Sequence, residues 1–442
     1  MARTSTRPTS VADELAPLVR AVLGPDPRIA VRAWDGSTIG PPDAAVTIDL
    51  HSPAALQHLL WSPGELGLAR AHVSGALDVD GDVFDLLALR GQLGRADEDV
   101  SVHLTRRDQL RLVASLRRLG VLGRRPPIPE EESRPHGRLH TRGRDAEAIA
   151  HHYDVSNDFY RLVLGPSMTY SCAYWYEDGL SLEQAQEAKY ELISRKLALE
   201  PGMRLLDVGC GWGSMAIHAA RHHGGQVVGI TISEAQAALA RERVDAAGLA
   251  DQVEIRVQDY RDVADGPFDA ISSIGMFEHV GEQRTAEYLR DLHDLVRPGG
   301  RVLNHAISRL DPDDRSGIDP DSFMGRYVFP DAALLEVGTV VSGMQRAGLE
   351  VRDVHSLREH YATTLRAWVA NLEASWDEAQ MLVGPGRARV WRLYLAGCAV
   401  GFEENRTAIH QVLAVRTRED GASGVPATRS TFEVDHDHPV DH

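Results

Sequence analysis

Three glycines at alternate positions close the run Leu205-Leu206-Asp207-Val208-Gly209-Cys210-Gly211-Trp212-Gly213, and a helix-like pattern opened by Ser214 follows through Ala220. Leu205, Leu206 and Val208 read as a short buried strand. Gly209, Gly211 and Gly213 can take positive φ and let a ligand lie against the backbone. A strand, a glycine turn and a helix N-terminus make a nucleotide-sized site whose orphan N–H groups meet a polar ligand, although the same spacing also serves a plain strand-to-helix connection. Two carboxylates, Asp207 and Asp259, stand at predicted strand ends near the turn. Glu278, between Phe277 and His279 just past a further strand, is either a helix N-terminal acid or a working group. Upstream, Met168 to Trp175 is a dense run of aromatic and polar residues, and His151-His152-Tyr153-Asp154 precedes it.

The ligand can be narrowed by what is missing. A dinucleotide enzyme would place an acid about 20 residues past the first glycine to hold a ribose hydroxyl, and Val228 to Ser233 contains none. The glycine spacing also departs from Gly-x-Gly-x-x-Gly, and there is no Walker lysine, no Gly-x-Ser-x-Gly nucleophile turn and no His-Glu-x-x-His. No metal site is expected. Asp207 and Asp259 suit a zwitterionic nucleoside with an amine to be held, of which S-adenosylmethionine is one.

These residues need a scaffold, and the chain supplies an alternating one. Strand-like runs at Val227–Ile232, Val253–Val257, Phe268–Ile274 and Arg301–Ile307 are separated by helical patterns, and Ser233 and Gln236 have capping-box spacing. This alternation predicts an α/β fold with a doubly wound, mostly parallel sheet, whose ligands bind at the carboxyl ends of the strands. A helix from Ser181 to Leu199 precedes the first strand; helices over 361–376 and 388–402 and a strand over 409–415 close the domain. Ahead of it, Ile29–Trp34 and Val46–Leu50 alternate apolar and polar residues, and 63–89 offers short helices. That predicts a smaller N-terminal α+β domain over 1–125, a linker over 126–145 rich in proline, arginine and glutamate, a catalytic domain over 146–416 and a disordered polar tail over 417–442. The acidic stretch 311–330 embeds Phe323, Met324, Tyr327 and Phe329 and reads as a cover for a long apolar substrate or as a packed loop.

With 442 residues and a net charge of −17, no global positive field would gather nucleic acid. Cys172, Cys210 and Cys398 lie far apart, which excludes a disulfide framework or zinc ribbon and fits a reducing cytoplasm. Cys210 reads as a small buried hydrophobe. No apolar run spans a bilayer. The segment Arg106–Arg125 holds seven arginines with Leu112, Val113, Leu116 and Leu119 at helical spacing, either a helix for anionic headgroups or a solvated helix packed on its neighbour.

Read together, His152-Tyr153-Asp154-Val155, Tyr170-Ser171-Cys172-Ala173-Tyr174, Leu206 to Gly213, Gly229 to Gln236, Gln258-Asp259-Tyr260-Arg261-Asp262, Met276-Phe277-Glu278-His279-Val280-Gly281, His305-Ala306-Ile307 and His360-Tyr361 form one ordered pattern. In that order the chain resembles the cyclopropane-fatty-acyl-phospholipid synthase family, S-adenosylmethionine-dependent methyltransferases acting on double bonds in lipid acyl chains. The resemblance implies a Rossmann-like class I methyltransferase fold with a first domain that helps bind lipid. It implies that Tyr170, Ser171, Gly209, Gly211, Thr231, Gln236, Asp259 and Tyr260, with Asp207, Gly213 and Ser233, form the S-adenosylmethionine site. It also implies that Cys172, Glu278, His305, Ile307 and Tyr361 hold a bicarbonate ion, Cys172 and Ile307 through backbone groups.

The implied reaction is methylation of a cis double bond in a phospholipid acyl chain, then bicarbonate-assisted deprotonation to a cyclopropane. Ser156 departs from the glycine of many members, and Leu164-Gly165-Pro166-Ser167-Met168-Thr169 resembles an actinobacterial branch. That branch includes enzymes that make a methylene-branched chain, precursor of 10-methyl fatty acids such as tuberculostearate, which a partner flavoprotein reduces; both products stay open. Methylation of a small soluble acceptor, or an inactive methyltransferase fold that binds lipid, are the weaker readings. Expected partners are the phospholipid bilayer surface at the inner face of the membrane and, from relatives, a second copy in a homodimer.

Overall fold

The computed structural model describes residues 9–23, 29–92, 113–133, 156–311, 313, 318–329 and 334–433. The motif at 151–155, the arginines at 106, 107 and 111, the linker beyond 133 and the histidines at 436, 438 and 442 lie outside the described residues. Two compact units divide the chain. One is drawn from 1–134, 320–328 and 377–400, the other from 135–319, 329–376 and 401–442. The division is therefore not a single cut near 125–146: two stretches of the expected catalytic segment fold with the first unit.

In the first unit β1 (Ala30–Arg32), β2 (Thr38–Ile39), β3 (Val46–Leu50) and β4 (Leu77–Gly81) form a sheet in the order β2-β1-β3-β4. β4 lies where only helices were expected; Leu77 and Val79 alternate with aspartates, a period of two within a stretch broken by glycines. Helices Ala54–Trp61 and Glu65–Val73 close over Val31, Leu50, Leu56, Ala71, Leu77 and Val121. Residues 113–118 are helical; Leu116 and Leu119 pack against this core while Val113, Arg117 and Arg118 face out. The packed-neighbour reading therefore holds for Leu116 and Leu119. Phe323 and Tyr327 stack at 5.5 Å and are buried, and Phe323 N donates to Glu65 Oε1 at 3.0 Å. These two aromatic rings are core within this unit and not a cover for substrate.

The second unit carries eight strands: β5 (Arg204–Val208), β6 (Gln226–Thr231), β7 (Val253–Val257), β8 (Phe268–Ile274), β9 (Val296–Arg309), β10 (Leu335–Glu336), β11 (Glu350–Ser356) and β12 (Thr407–Val415). Their order is β11-β12-β9-β8-β5-β6-β7, with β10 pairing β9. The pairs from β9 through β7 are parallel, and β12 runs antiparallel to both its neighbours. From β5 the chain winds outward to β6 and β7, then crosses back to β8 and β9. The switch point between β5 and β8 opens a crevice at their carboxyl ends.

Successive residues of a strand face opposite sides. Leu205 accordingly joins a core with Met215, Ala216, Val227 and Ala237, and Leu206 one with Ile271, Tyr288, Leu289 and Val302. Helix Leu182–Leu197 starts on a full capping box, with Ser181 Oγ accepting from Gln184 N and Gln184 reaching back. Two other expected caps differ. Gly213, in a left-handed conformation, is the N-cap of helix Ser214–His223, while Ser214 Oγ donates to Ser167 O at 2.5 Å. Ser233 caps helix Glu234–Ala246, but Gln236 turns away to accept from Thr231 Oγ1 at 2.9 Å, so the box is only half made.

The tail expected to be disordered from 417 is ordered in part. Phe432 is buried among the residues of the Leu205 core, Arg301 Nη2 donates to Gly424 O at 2.8 Å, and Arg429 pairs with Asp353 at 2.7 Å. The anchor is one aromatic residue in a polar stretch, too sparse to show as periodicity. Phe432→Ala should lower unfolding free energy by about 3 kcal/mol; a change within error in urea denaturation would mean the segment does not close the core in solution.

Candidate active site

The glycine turn hangs from its neighbour strand: Gly209 N and Cys210 N both donate to Ile230 O at 2.9 Å. Gly209 has φ of +76°, and a Cβ there would sit 3.0 Å from the Met276 side chain, so both shape and space require glycine. Below the turn lies a cleft of about 1120 Å³, open mouth included. Tyr170, Ser171, Asp207, Gly209, Gly211, Thr231, Gln236, Asp259 and Tyr260 all line it. Gly213 and Ser233 are not among the lining residues; they shape the turn and cap the next helix.

Residues 168–171 also line the cleft, and the segment 168–176 to which they belong is pinned by two helices. From helix Leu182–Leu197, Gln186 Nε2 donates to Ser171 O at 2.9 Å and Lys189 Nζ to Ser171 Oγ at 3.0 Å. From helix Arg358–Ala374, Thr364 Oγ1 accepts from Ala173 N at 3.1 Å and from Trp175 Nε1 at 3.0 Å. Trp212, buried at the turn, donates to Asn157 Oδ1 at 3.0 Å.

The two strand-end carboxylates are not equivalent. Asp259 accepts from Arg261 N at 3.0 Å and from its guanidinium Nε at 2.8 Å, so it is held within its own turn. Asp207 is buried; Oδ1 accepts from Ser272 Oγ at 2.7 Å, and Oδ2 has no hydrogen-bond partner among the described residues. Burial raises its pKa to about 6, although Ser272 and Lys189 pull it down. Lys189, wholly buried, is lowered by burial to about 7. Sequence reasoning missed Lys189, together with Trp212, Gln258, Gly275 and Met276 on the cleft wall. Lys189 could have been found, because it falls on the apolar stripe of its helix with Ala185, Leu192 and Lys196, where an ionisable group needs a reason.

A second set of groups gathers where β9 outruns β8. Gly275 N donates to His305 O at 2.8 Å, and the next donor along that edge, Ile307 N, is taken by Glu278 Oε1 at 2.8 Å. Ile307, expected to hold an anion through a backbone group, has its N–H committed to Glu278. Glu278 Oε2 and His305 Nε2 are buried without a partner among the described residues. Gln411 Nε2 lies 3.2 Å from His305 Nδ1. As the amide is assigned it donates there, leaving the proton on Nε2. Burial pushes Glu278 up to about 7 and His305 well below the usual histidine range, so near neutral pH the imidazole is uncharged and the carboxyl half-protonated.

Cys172 and Tyr361 meet through Leu357: Cys172 Sγ lies 3.7 Å from Leu357 O, which also accepts from Tyr361 N at 3.1 Å. Leu357 N in turn donates to Ile409 O, and Ile409 pairs with Ile307 across β12 and β9. Burial raises the Cys172 thiol far above its usual range, which excludes it as a thiolate nucleophile. Aromatic rings run from the glycine turn to Tyr361: Trp212 to Tyr160 at 4.7 Å, Tyr160 to Tyr170 at 5.7 Å, Tyr170 to Trp368 at 5.4 Å, and Trp368 to Tyr361 at 6.0 Å.

Comparison with known proteins agrees with this geometry. Residues 140–412 match the family model for mycolic acid cyclopropane synthetase. A probable fatty acid methyltransferase of Mycobacterium tuberculosis is 46% identical over 89% of this chain and 92% of its own. The cyclopropane-fatty-acyl-phospholipid synthase of Escherichia coli is 38% identical over 61% of this chain and 68% of its own. A crystal structure of mycolic acid cyclopropane synthase complexed with SAH and CTAB superposes with a TM-score of 0.58 at 34% identity, covering 61% of this chain and 98% of that one. The fold is that of class I S-adenosylmethionine-dependent methyltransferases.

The raised Glu278 pKa has a measurable sign. Its stability contribution is complete below the ordinary value of 4.5 and is lost as pH rises through about 7, because the folded state then buries a charge. Replacing Glu278 by Gln should remove that loss, so the variant gains on the wild type in urea denaturation between pH 5 and pH 8, values chosen about that range. A difference that does not change with pH would mean the carboxyl titrates as if exposed.

Proposed function

The chain belongs to the mycolic acid cyclopropane synthetase family, and from that premise we propose that it methylates the cis double bond of an unsaturated phospholipid acyl chain and closes a cyclopropane ring. The observation that carries this reading is that Glu278 Oε2 and His305 Nε2 are both buried and open, on groups anchored to the same stretch of β9, Glu278 through Ile307 N and His305 two residues before it. A methyltransferase for amines would have no use for such a pair.

In the reaction the alkene π electrons form a carbon–carbon bond to the sulfonium methyl while the sulfur–methyl bond breaks. Sulfur leaves as the thioether of S-adenosylhomocysteine, and the acyl chain becomes a cation. Faces of Tyr170, Trp368 and Tyr361 lower the energy of that cation without trapping it. Ring closure uses the electrons of a methyl C–H bond, so one proton must go to a base. Bicarbonate, when bound, supplies a small base in place of a side-chain carboxylate, which the cation would alkylate. Glu278 in its protonated form and His305 Nε2–H would hold it, with the Tyr361 phenol, while Ile307 acts through Glu278 by fixing Oε1.

The first unit supports a lipid surface as the source of substrate. Leu60, Trp61 and Leu68 on its paired helices, with Val113 and Leu122, are each exposed by more than two fifths, and Arg117, Arg118, Arg124 and Arg125 are exposed beside the latter two in sequence. Apolar side chains among arginines suit an anionic bilayer face. Among the described residues no helix is long and apolar enough to cross a membrane. A methylene-branched product, to be reduced by a flavoprotein partner, is the second reading; relatives matched over about nine tenths of the chain carry the name probable fatty acid methyltransferase.

Expression in a host that makes cis-monounsaturated phospholipids tests the proposal. Fatty acids should gain one methylene in mass, and NMR should show ring protons; exocyclic vinylidene protons would select the second reading. Glu278→Gln should abolish most of the product while leaving affinity for S-adenosylhomocysteine nearly unchanged. No modified fatty acid in cells containing the folded chain would refute the proposal.

A further inference from the structure

Lys189 has no room to be an ordinary lysine. It is 0% exposed, yet it lines the donor cleft, and of its three N–H donors the hydrogen bonds of the described residues use one, to Ser171 Oγ at 3.0 Å. Its ammonium also lies 3.7 Å from the Tyr190 ring centroid. Asp207, which also lines the cleft, keeps one buried oxygen open. Among the described residues neither group is in an ion pair. The other cation on the cleft wall, Arg261, is held by Asp259.

Burial of an unpaired charge is unfavourable by several kcal/mol, and here it drives both groups toward their neutral forms, each partly restrained by the other's charge. Opposite charges lining one cleft, each with an unused hydrogen-bonding position, match a ligand that carries both signs on one carbon. The amino-acid end of S-adenosylmethionine is such a group.

We propose that Lys189 anchors the α-carboxylate of the methyl donor, with Ser171 aiming its ammonium and the open oxygen of Asp207 receiving the α-ammonium. The proposal rests on the reading of the cleft as the donor site and assigns the residue that recognises the donor's anionic end. Ser171, held by Gln186 through its carbonyl and by Lys189 through its hydroxyl, keeps the lysine on the cleft side of its helix. Lys189 would also fix the depth to which the donor enters, and so where the sulfonium methyl points.

Two ligands that differ only at this end give the test. S-adenosylhomocysteine carries the amino-acid group and methylthioadenosine lacks it. By titration calorimetry on the full chain, Lys189→Met should weaken S-adenosylhomocysteine by about tenfold or more, the scale of a charge-assisted hydrogen bond, and leave methylthioadenosine as in the wild type. An unchanged preference between the two ligands overturns the proposal. Equal loss of both does so too, because it gives Lys189 a role in the shape of the cleft alone. Should the variant not fold, the wild-type chain decides: it must favour S-adenosylmethionine over its decarboxylated form by a similar factor, and indifference overturns the assignment. A wild-type chain that binds neither nucleoside overturns the donor reading itself, an outcome distinct from all of these.

Discussion

A strand that outruns its neighbour leaves donors without acceptors, and Glu278 is fixed by one of them. β9 continues to Arg309 while β8 ends at Ile274, so between Gly275 and the short β10, which pairs at Ser308 and Arg309, the edge of β9 faces a turn instead of a strand. A buried backbone N–H must find a partner. Glu278 provides it for Ile307, which fixes one carboxylate oxygen, orients the other and places the group where water does not reach. Its pKa near 7 follows from that position: burial raises it, and the backbone amides of Ile307 and of Glu278 itself offset only part of the desolvation. His305, two residues earlier on the same strand, shares the burial and is kept neutral by it.

The donor cleft solves a different problem with the same sheet. At the carboxyl ends of β5 and β6 the chain must turn sharply and still leave space for a ligand, and the Ile230 carbonyl ties the turn down while glycine supplies the conformation. The segment 168–176 carries no regular structure of its own and relies on Gln186, Lys189 and Thr364 for its shape. Ser171, which lines the cleft, and Cys172, whose Sγ reaches Leu357 O, are adjacent residues of that segment. A change in the 168–176 segment would be felt by both.

Much of this was legible in the sequence, for reasons that differ by element. β7 and β8 were placed to the residue, because short apolar runs between helical patterns leave little freedom. Gly209, Asp207 and Glu278 were singled out because their types are unusual beside a strand end. What stayed hidden depends on contacts remote in sequence. The commitment of Asp259 to Arg261 turns on the geometry of one turn, and the order of the 417–433 segment turns on Phe432 reaching a distant core. The four-stranded sheet of the first unit gained β4 from a stretch whose alternation is only four residues long. Lys189 was overlooked because a lysine among glutamates and glutamines looks like surface until its place on the buried stripe is counted.

The central claim is that a proton of the transferred methyl group is removed in a pocket built on Glu278 and His305. Purified chain, vesicles of a cis-monounsaturated phospholipid and S-adenosylmethionine bearing a fully deuterated methyl group suffice to measure it. Mass spectrometry of the recovered acyl chains should show the added carbon one deuteron short of the methyl it came from. An acyl chain that keeps every deuteron, or label found only on the headgroup, would contradict the account.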